Sequence, residues 1–367
     1  MCGIVGGIDI SGGMLKGADF IQAISIQHER GNGQGGGFAA YGIYPEFGEY
    51  YALHIACDNE SAAQRADEFV RAHLYIKIAE DMPTKDVSSI DWHPLLKRYF
   101  CFPGPSNEDL KLSNLSRTFV GSGEEALDAY MKRFVFDFNR SVHGAYILSC
   151  GKNMGVFKGV GYPEEIGEFF LIDKLEAAIW MVHSRFPTNT ESWWGGAHPF
   201  SLLEWSVVHN GEITSYGVNR NYLGMFGYDC LLKTDTEVIS YLFDLFVRER
   251  RISLEDTCTI LSPPLWEDIE KMKGSDEKQR VTLLRRCYPE ALLNGPFAIL
   301  AANGRQLVAM NDNLKLRPLV AAKVKDRFFF SSEECSFEVL CPERERTWML
   351  KGGQPEIVRM KEKSDAA

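Results

Sequence analysis

The sequence predicts an α+β fold in which short strands outnumber long helices. Apolar runs of strand length open the chain and recur through its C-terminal third. Strong helical periodicity is confined to a few segments between them. Strands at both ends, with helices between, can form two stacked sheets with helices outside. Composition agrees: 367 residues, 45% hydrophobic and 25% charged, suffice for one large domain or two smaller ones with a real core.

Taken in order, residues 2–9 read as a strand and Ser11-Gly-Gly as a turn. Residues 18–28 have helical spacing of apolar positions. The glycine-rich stretch Arg30–Gly37 contains G-x-G-x-x-G from Gly31 to Gly36. A dinucleotide fingerprint follows a strand and opens a helix. Here a helix precedes and the strand-like 38–44 follows, so the stretch is a flexible or close-packed loop, able to line a site. Residues 49–57 read as a strand, 60–73 as an amphipathic helix, 74–79 and 98–102 as strands, with a Pro103-Gly-Pro-Ser loop behind. Residues 124–139 are a helix with Leu127, Tyr130, Met131, Phe134 and Phe138 on one face. That βαββα order suggests a small α/β subdomain over 45–142 without a catalytic constellation. His54, His73 and His93 are too scattered to read as metal ligands.

Beyond residue 143 strands dominate. Residues 145–150 and 154–159 flank Gly151-Lys-Asn, a hairpin turn. Strands at 177–183 and 205–209 follow, then a helix started by Thr234 or Asp235 and continuing through Val238–Phe246. Residues 265–290 are charged and helical. Short strands recur at 297–302, 307–311, 319–323 and 328–331, and a polar tail from about Lys361 is disordered.

A formal net charge of −10 offers no broad basic surface, which excludes a nucleic-acid partner. No charged leader precedes an apolar core and no run reaches membrane-span length, so a cytoplasmic chain is expected. The 9 cysteines lie far apart, without C-x-x-C or a Cys/His cluster. Free thiols are expected, with no disulfides and no metal. Cys150, Cys230 and Cys287 fall in apolar stretches and read as small core residues.

Chemistry is suggested first by Met1-Cys2-Gly3-Ile4-Val5-Gly6-Gly7. Removal of Met1 would leave Cys2 with both a thiol and a free amine. The thiol titrates near ~8.5 and the amine at roughly 7.7–8.0, so the amine can act as a base near neutral pH. An N-terminal nucleophile beside its own amine is a known means of activation. Gly3 and the glycine pair leave room for a substrate close to the backbone. A cysteine at position 2 is equally a chance residue on a frayed end, but the strand-like run behind it argues otherwise.

Further polar groups sit where apolar strands stop, rigid places from which to aim a functional group. Arg185 offers a planar fork for a carboxylate, and Asp235 could hold an ammonium. Together they would recognise an α-amino acid by both charged ends. Asn210 and the Gly211 N–H are the two donors an oxyanion hole needs. Each has a plainer reading: Asn-Gly is a common turn, Asp235 can cap a helix, and Arg185 can form a structural ion pair.

In combination, these motifs resemble the class II glutamine amidotransferases, which are N-terminal nucleophile hydrolases. The matching stretches are Met1–Gly6, His28-Glu-Arg-Gly31, His183-Ser-Arg-Phe-Pro-Thr188, His209-Asn-Gly-Glu212 and Thr234-Asp-Thr-Glu237. Trp193-Trp-Gly-Gly-Ala-His-Pro-Phe200, Asn294-Gly-Pro-Phe297 and Leu316-Arg-Pro318 make the chain most similar to the glutaminase domain of glutamate synthase large subunits. The resemblance implies a four-layer αββα sandwich over 2–360, with 45–142 inserted and 361–367 a tail. It implies Cys2 as nucleophile with its amine as base, and Asn210 and Gly211 as oxyanion hole. Arg185 would hold the α-carboxylate of L-glutamine and Asp235 its α-ammonium. Thr188, His198 and Glu212 would shape the pocket, and Arg30 would position the terminus. Glu29 departs from the usual motif by standing between His28 and Arg30, and the glycine loop and the 45–142 segment exceed a minimal domain.

With no flavin or nucleotide fingerprint and no iron–sulfur cysteines, no cofactor is expected. The expected protein is a glutaminase subunit delivering ammonia to a separate glutamate synthase-like subunit. The alternatives are a non-catalytic regulatory or scaffold subunit that kept the fold, or an N-terminal nucleophile amidase acting on another amide.

Overall fold

The computed structural model describes residues 1–104, 123–187 and 191–361. The site candidate Thr188, part of the loop after Pro103 and residues 362–367 of the expected tail lie outside the described residues. The chain runs β1 (Gly3–Asp9), β2 (Leu15–Lys16), α1 (Gly17–Ser25), β3 (Gly36–Tyr41), β4 (Tyr51–Cys57), α2 (Glu60–His73), β5 (Leu74–Asp81), β6 (Leu95–Pro103) and α3 (Glu124–Ser141). It continues with β7 (Ala145–Lys152), β8 (Met154–Gly159), α4 (Pro163–Phe169), β9 (Glu176–Ala177), β10 (Ile179–Ser184), β11 (Phe200–Leu202), β12 (Trp205–Gly211), α5 (Tyr216–Gly224) and α6 (Asp235–Phe243). Then come α7 (Leu254–Leu261), α8 (Trp266–Lys271), α9 (Ser275–Cys287), β13 (Phe297–Asn303), β14 (Gln306–Asn311), β15 (Val320–Val324), β16 (Arg327–Ser331), α10 (Phe337–Leu340), β17 (Arg346–Met349) and β18 (Glu356–Arg359).

The architecture is mixed α/β with antiparallel sheets. One is seven-stranded, in the order β17-β15-β16-β1-β10-β3-β8, so the first strand of the chain lies at its centre. A five-stranded sheet runs β11-β12-β13-β14-β18, and a four-stranded one β5-β6-β4-β7. Alternation along β1 sets its two faces. Ile4 and Ile8 pack with Val208, Leu300 and Leu307 of the five-stranded sheet. Val5 faces the other way, into a cluster with Phe20 and Ile24 of α1 and Ile166 of α4. On its far face the five-stranded sheet packs Val207, Ile299 and Val308 against Ile239 and Leu242 of α6. The same apolar cluster runs on through Leu53 and Ile55 of β4 to Phe134 and Phe138 of α3.

Three expectations need correction. A Cβ on Gly6 would stand 2.6 Å from Leu300 Cδ1, and one on Gly7 2.7 Å from the Phe20 ring. That pair therefore lets a sheet and a helix close on β1, and substrate room is not its use. The expected hairpin at Gly151-Lys-Asn is a corner: β7 pairs with β4 while β8 pairs with β3, and Asn153 turns the chain at φ 50. Cys287, at the end of the charged α9, is exposed because nothing apolar covers that end, whereas Cys150 and Cys230 are buried as expected. The βαββα order after residue 45 is present, and its sheet also takes in β7, which lies beyond residue 142. Among the described residues no helix is long and apolar enough to cross a membrane.

Candidate active site

The register of the central sheet builds one side of the site. Gly3 pairs with Ser184, so one residue further out the antiparallel ladder sets Cys2 beside Arg185. The Phe186 N–H donates to Cys2 Sγ at 3.3 Å, and the Arg30 Nε–H donates to the Cys2 carbonyl at 3.0 Å. Arg30 in turn is paired with Glu333. The end of the chain is thus held from two directions.

The other side comes from β12 and α6. β12 ends in Asn210 and Gly211, and the next N–H, of Glu212, donates to the carbonyl of Pro296, just ahead of β13. Alternation turns the Gly211 N–H away from β13. Asn210 is 1% exposed, and its Nδ2 has no hydrogen-bond partner. A buried amide donor left open in this way costs roughly 1–3 kcal/mol, which suits a group whose acceptor arrives with a ligand. Helix α6 starts because the Thr234 side chain accepts from the Glu237 N–H, which frees Asp235 from capping. Asp235 accepts from the Ile213 N–H at 2.9 Å and from the Thr236 hydroxyl at 3.2 Å. Burial pushes its acidity down, but His209 and these donors outweigh that and hold the carboxyl below its usual range.

Cys2, Arg185, His198, Gly211, Glu212 and Asp235 line one cavity of about 290 Å³. Asn210 lies next to this lining on β12, and Arg30 reaches it only through the Cys2 carbonyl. Burial raises the Cys2 thiol above its ordinary range, with the Phe186 N–H, the terminal amine and Arg185 pulling the other way. A proton acceptor is therefore needed to make the thiolate near neutral pH. Burial also lowers the terminal amine, here that of Met1, and Arg30 and Arg317 reinforce the effect.

Three histidines cluster at the cavity, His198 and His209 in its wall and His183 behind them. The His183 and His198 rings stack at 4.0 Å, His183 Nε2 donates to the His209 carbonyl at 3.0 Å, and His198 Nε2 meets the Thr236 hydroxyl at 3.3 Å. Burial depresses His183 to about 3 and holds His198 well below its ordinary value, so both are neutral supports. Sequence reading missed Lys158. It is fully buried on β8, donates to the Gly195 carbonyl at 3.0 Å and sits 4.1 Å over the Phe200 ring. Burial brings it down to about 7. By pinning Gly195, Lys158 fixes the turn that leads to His198. Its signal was a single charge inside an otherwise apolar strand. The glycine loop lies against the same place: Gly35 O accepts from the Arg185 N–H at 2.8 Å, and a Cβ on Gly37 would stand 2.3 Å from the His198 carbonyl.

The family model described as "Glutamine amidotransferases class-II" matches residues 128–226. A protein of Archaeoglobus fulgidus described as uncharacterized is 43% identical over 365 residues, covering 98% of this chain and 92% of its own. The NADPH glutamate synthase large chain of Bacillus subtilis is 32% identical over 215 residues, 53% of this chain and 14% of that protein. Among solved structures, the glutamine phosphoribosylpyrophosphate amidotransferase of B. subtilis aligns over 98% of this chain and 49% of its own, at 14% identity and a TM-score of 0.44. The chain belongs to the class II glutamine amidotransferases.

Proposed function

We propose that this protein is a glutaminase subunit, acting through Cys2 once Met1 is removed. The observation that carries the reading is the meeting of Cys2, Arg185, Asp235 and Gly211 around one cavity, with the unpartnered Asn210 amide beside it. Glutamine enters with its α-carboxylate on Arg185 and its α-ammonium on Asp235, which directs the side-chain amide to Cys2. The freed amine of Cys2 takes the thiol proton, and Sγ bonds to the amide carbon. The oxygen gains charge and is held by Asn210 Nδ2 and the Gly211 N–H, an effect worth about 3–4 kcal/mol per donor. The C–N bond breaks as the amine returns the proton, releasing ammonia. Water then adds to the γ-glutamyl thioester, the C–S bond breaks, and glutamate leaves with Cys2 restored. His198 and Glu212 wall the pocket, and Arg30 positions the reacting residue.

Free ammonia is wasted unless used, and the similarity to glutamate synthase supports a separate synthase-like subunit as recipient. We also read the two stacked sheets with helices on their outer faces as the four layers of an αββα sandwich over 2–360, with 45–142 as an insertion. The test is to incubate mature protein with L-glutamine and measure glutamate and ammonia, with intact mass reporting Met1. Equal release of both products, lost in Cys2→Ala, is expected. Full activity in Cys2→Ala, or release from other amides but not glutamine, would overturn the reading.

A further inference from the structure

A second cavity, of about 410 Å³, is walled mainly by aromatic rings. Trp92, Tyr146, Trp193 and Trp194 line it, three of the chain's 7 tryptophans, together with the carboxylates Asp58 and Asp91. No lysine or arginine is among the described residues that line it. Two rings form the floor: Tyr146 is 9% exposed and Trp194 3%. The other two stand open to solvent, Trp92 at 55% and Trp193 at 37%. Open rings grouped around one cavity, unlike rings scattered singly, mark an interaction site.

The box is pre-formed. Tyr146 and Trp193 meet edge to face, with ring centres 5.1 Å apart and planes at 74°. The Trp193 ring lies flat on glycine backbone: a Cβ on Gly195 or Gly196 would stand 2.1 or 2.4 Å from it. Trp194 is wedged against Phe169, 5.6 Å between ring centres. Ring faces carry negative electrostatic potential, and the carboxylates Asp58 and Asp91 add to it. A charge spread over methyl groups suits such walls, because it presents C–H surface to the rings and sheds water cheaply.

We propose that this pocket binds a small organic cation of the methylated-ammonium class. Neither the glutamine chemistry nor the oxyanion donors use these rings, so the site stands apart from the catalytic reading. A third cleft lies between the two: Trp193 walls it on one side, and Arg185 and Thr234, which also line the catalytic cavity, on the other.

Titration of the whole protein at constant ionic strength tests this, with tryptophan fluorescence as the readout. Choline is the probe and 3,3-dimethyl-1-butanol, its uncharged carbon analogue, is the control. Saturable quenching by choline is expected, with the analogue binding about 10-fold more weakly or less, the scale of a desolvated cation–π contact. Trp92→Ala and Asp91→Asn, both at the exposed rim, should each weaken choline by about 5-fold or more without shifting the melting temperature. Equal affinity for the uncharged analogue would make the pocket merely apolar and overturn the proposal. So would wild-type affinity in both variants, or no saturable change with choline.

Discussion

Two parts of this molecule bury polar side chains, and they treat them differently. Around the four-stranded sheet the polar groups are paired off. His54, fully buried on β4, meets the Val156 carbonyl through Nδ1 and the Tyr44 hydroxyl through Nε2. Tyr51 donates to Asp128 and Tyr99 to Asp67. Among the described residues of that sheet no buried side-chain nitrogen or oxygen lacks a partner. At the ends of β10 and β12 the opposite holds. His183 Nδ1, Ser184 Oγ, His209 Nε2 and Asn210 Nδ2 are buried without partners, as is His198 Nδ1 nearby. Burial of an open donor or acceptor is costly, so the second region gives up stability that the first retains. The difference separates scaffold from working site without reference to any motif.

That contrast can be broken at several points, in falling order of effect. Cys2→Ala should abolish glutamine hydrolysis, by on the order of 10⁴-fold or more in kcat, since loss of a nucleophile leaves only binding and oxyanion contributions. Its melting temperature should stay close to wild type, because the thiol contributes only weak hydrogen bonding with the Phe186 backbone. Asn210→Ala should lower kcat by about 10²–10³-fold with little change in KM, as expected of a donor used in the transition state. An equal rise in KM would mean the amide binds substrate instead. Arg185→Lys should lower kcat/KM by about 10–100-fold, chiefly through KM, because a lysine cannot make the two parallel bonds to a carboxylate.

The smallest expected effect tests the two histidine environments directly. Burial depresses both His54 and His183 from 6.5 to about 3. The unfolded chain binds these protons first as pH falls. The stability each neutral ring confers is therefore complete above about pH 6.5 and drains away between about 6.5 and 3, by roughly 2 kcal/mol per ring at pH 5. Denaturant midpoints measured from pH 8 to 4 should show this slope. His54→Gln and His183→Gln should each reduce it by about one proton, and only His183→Gln should also impair hydrolysis. Loss of activity in the His54 variant would erase the distinction between the two regions.

How much of this was legible depends on what kind of contact decides it. The ends of strands were readable, because a polar residue closing an apolar run stands out. Arg185 and Asn210 were marked that way and Asp235 as the start of a helix, and they meet within one small region of the structure. Helix α2 was readable to the residue, since its periodicity and its Asn59 cap are local. Long-range pairing was not. Nothing near Gly151 tells β7 and β8 to join different sheets; that choice is made by β4 and β3 about a hundred residues earlier. The glycine pair of β1 suggested space for substrate, whereas its neighbours are Leu300 and Phe20, which local spacing could not supply. Short elements such as α4 and β11 escaped for lack of periods to count. Trp92 and Trp193 looked like unrelated residues about a hundred positions apart, and only the fold brings them to one pocket.

The central placement of β1, clasped by β16 and β10, has a practical side. The leading end of this polypeptide is woven into the middle of its largest sheet, with Cys2 already turned into the cavity. On the mechanism proposed above, a purification handle fused ahead of Cys2 would run through the cavity and acylate the nitrogen assigned there as the base. Recombinant material meant for assay should carry its handle at the far terminus, beyond β18.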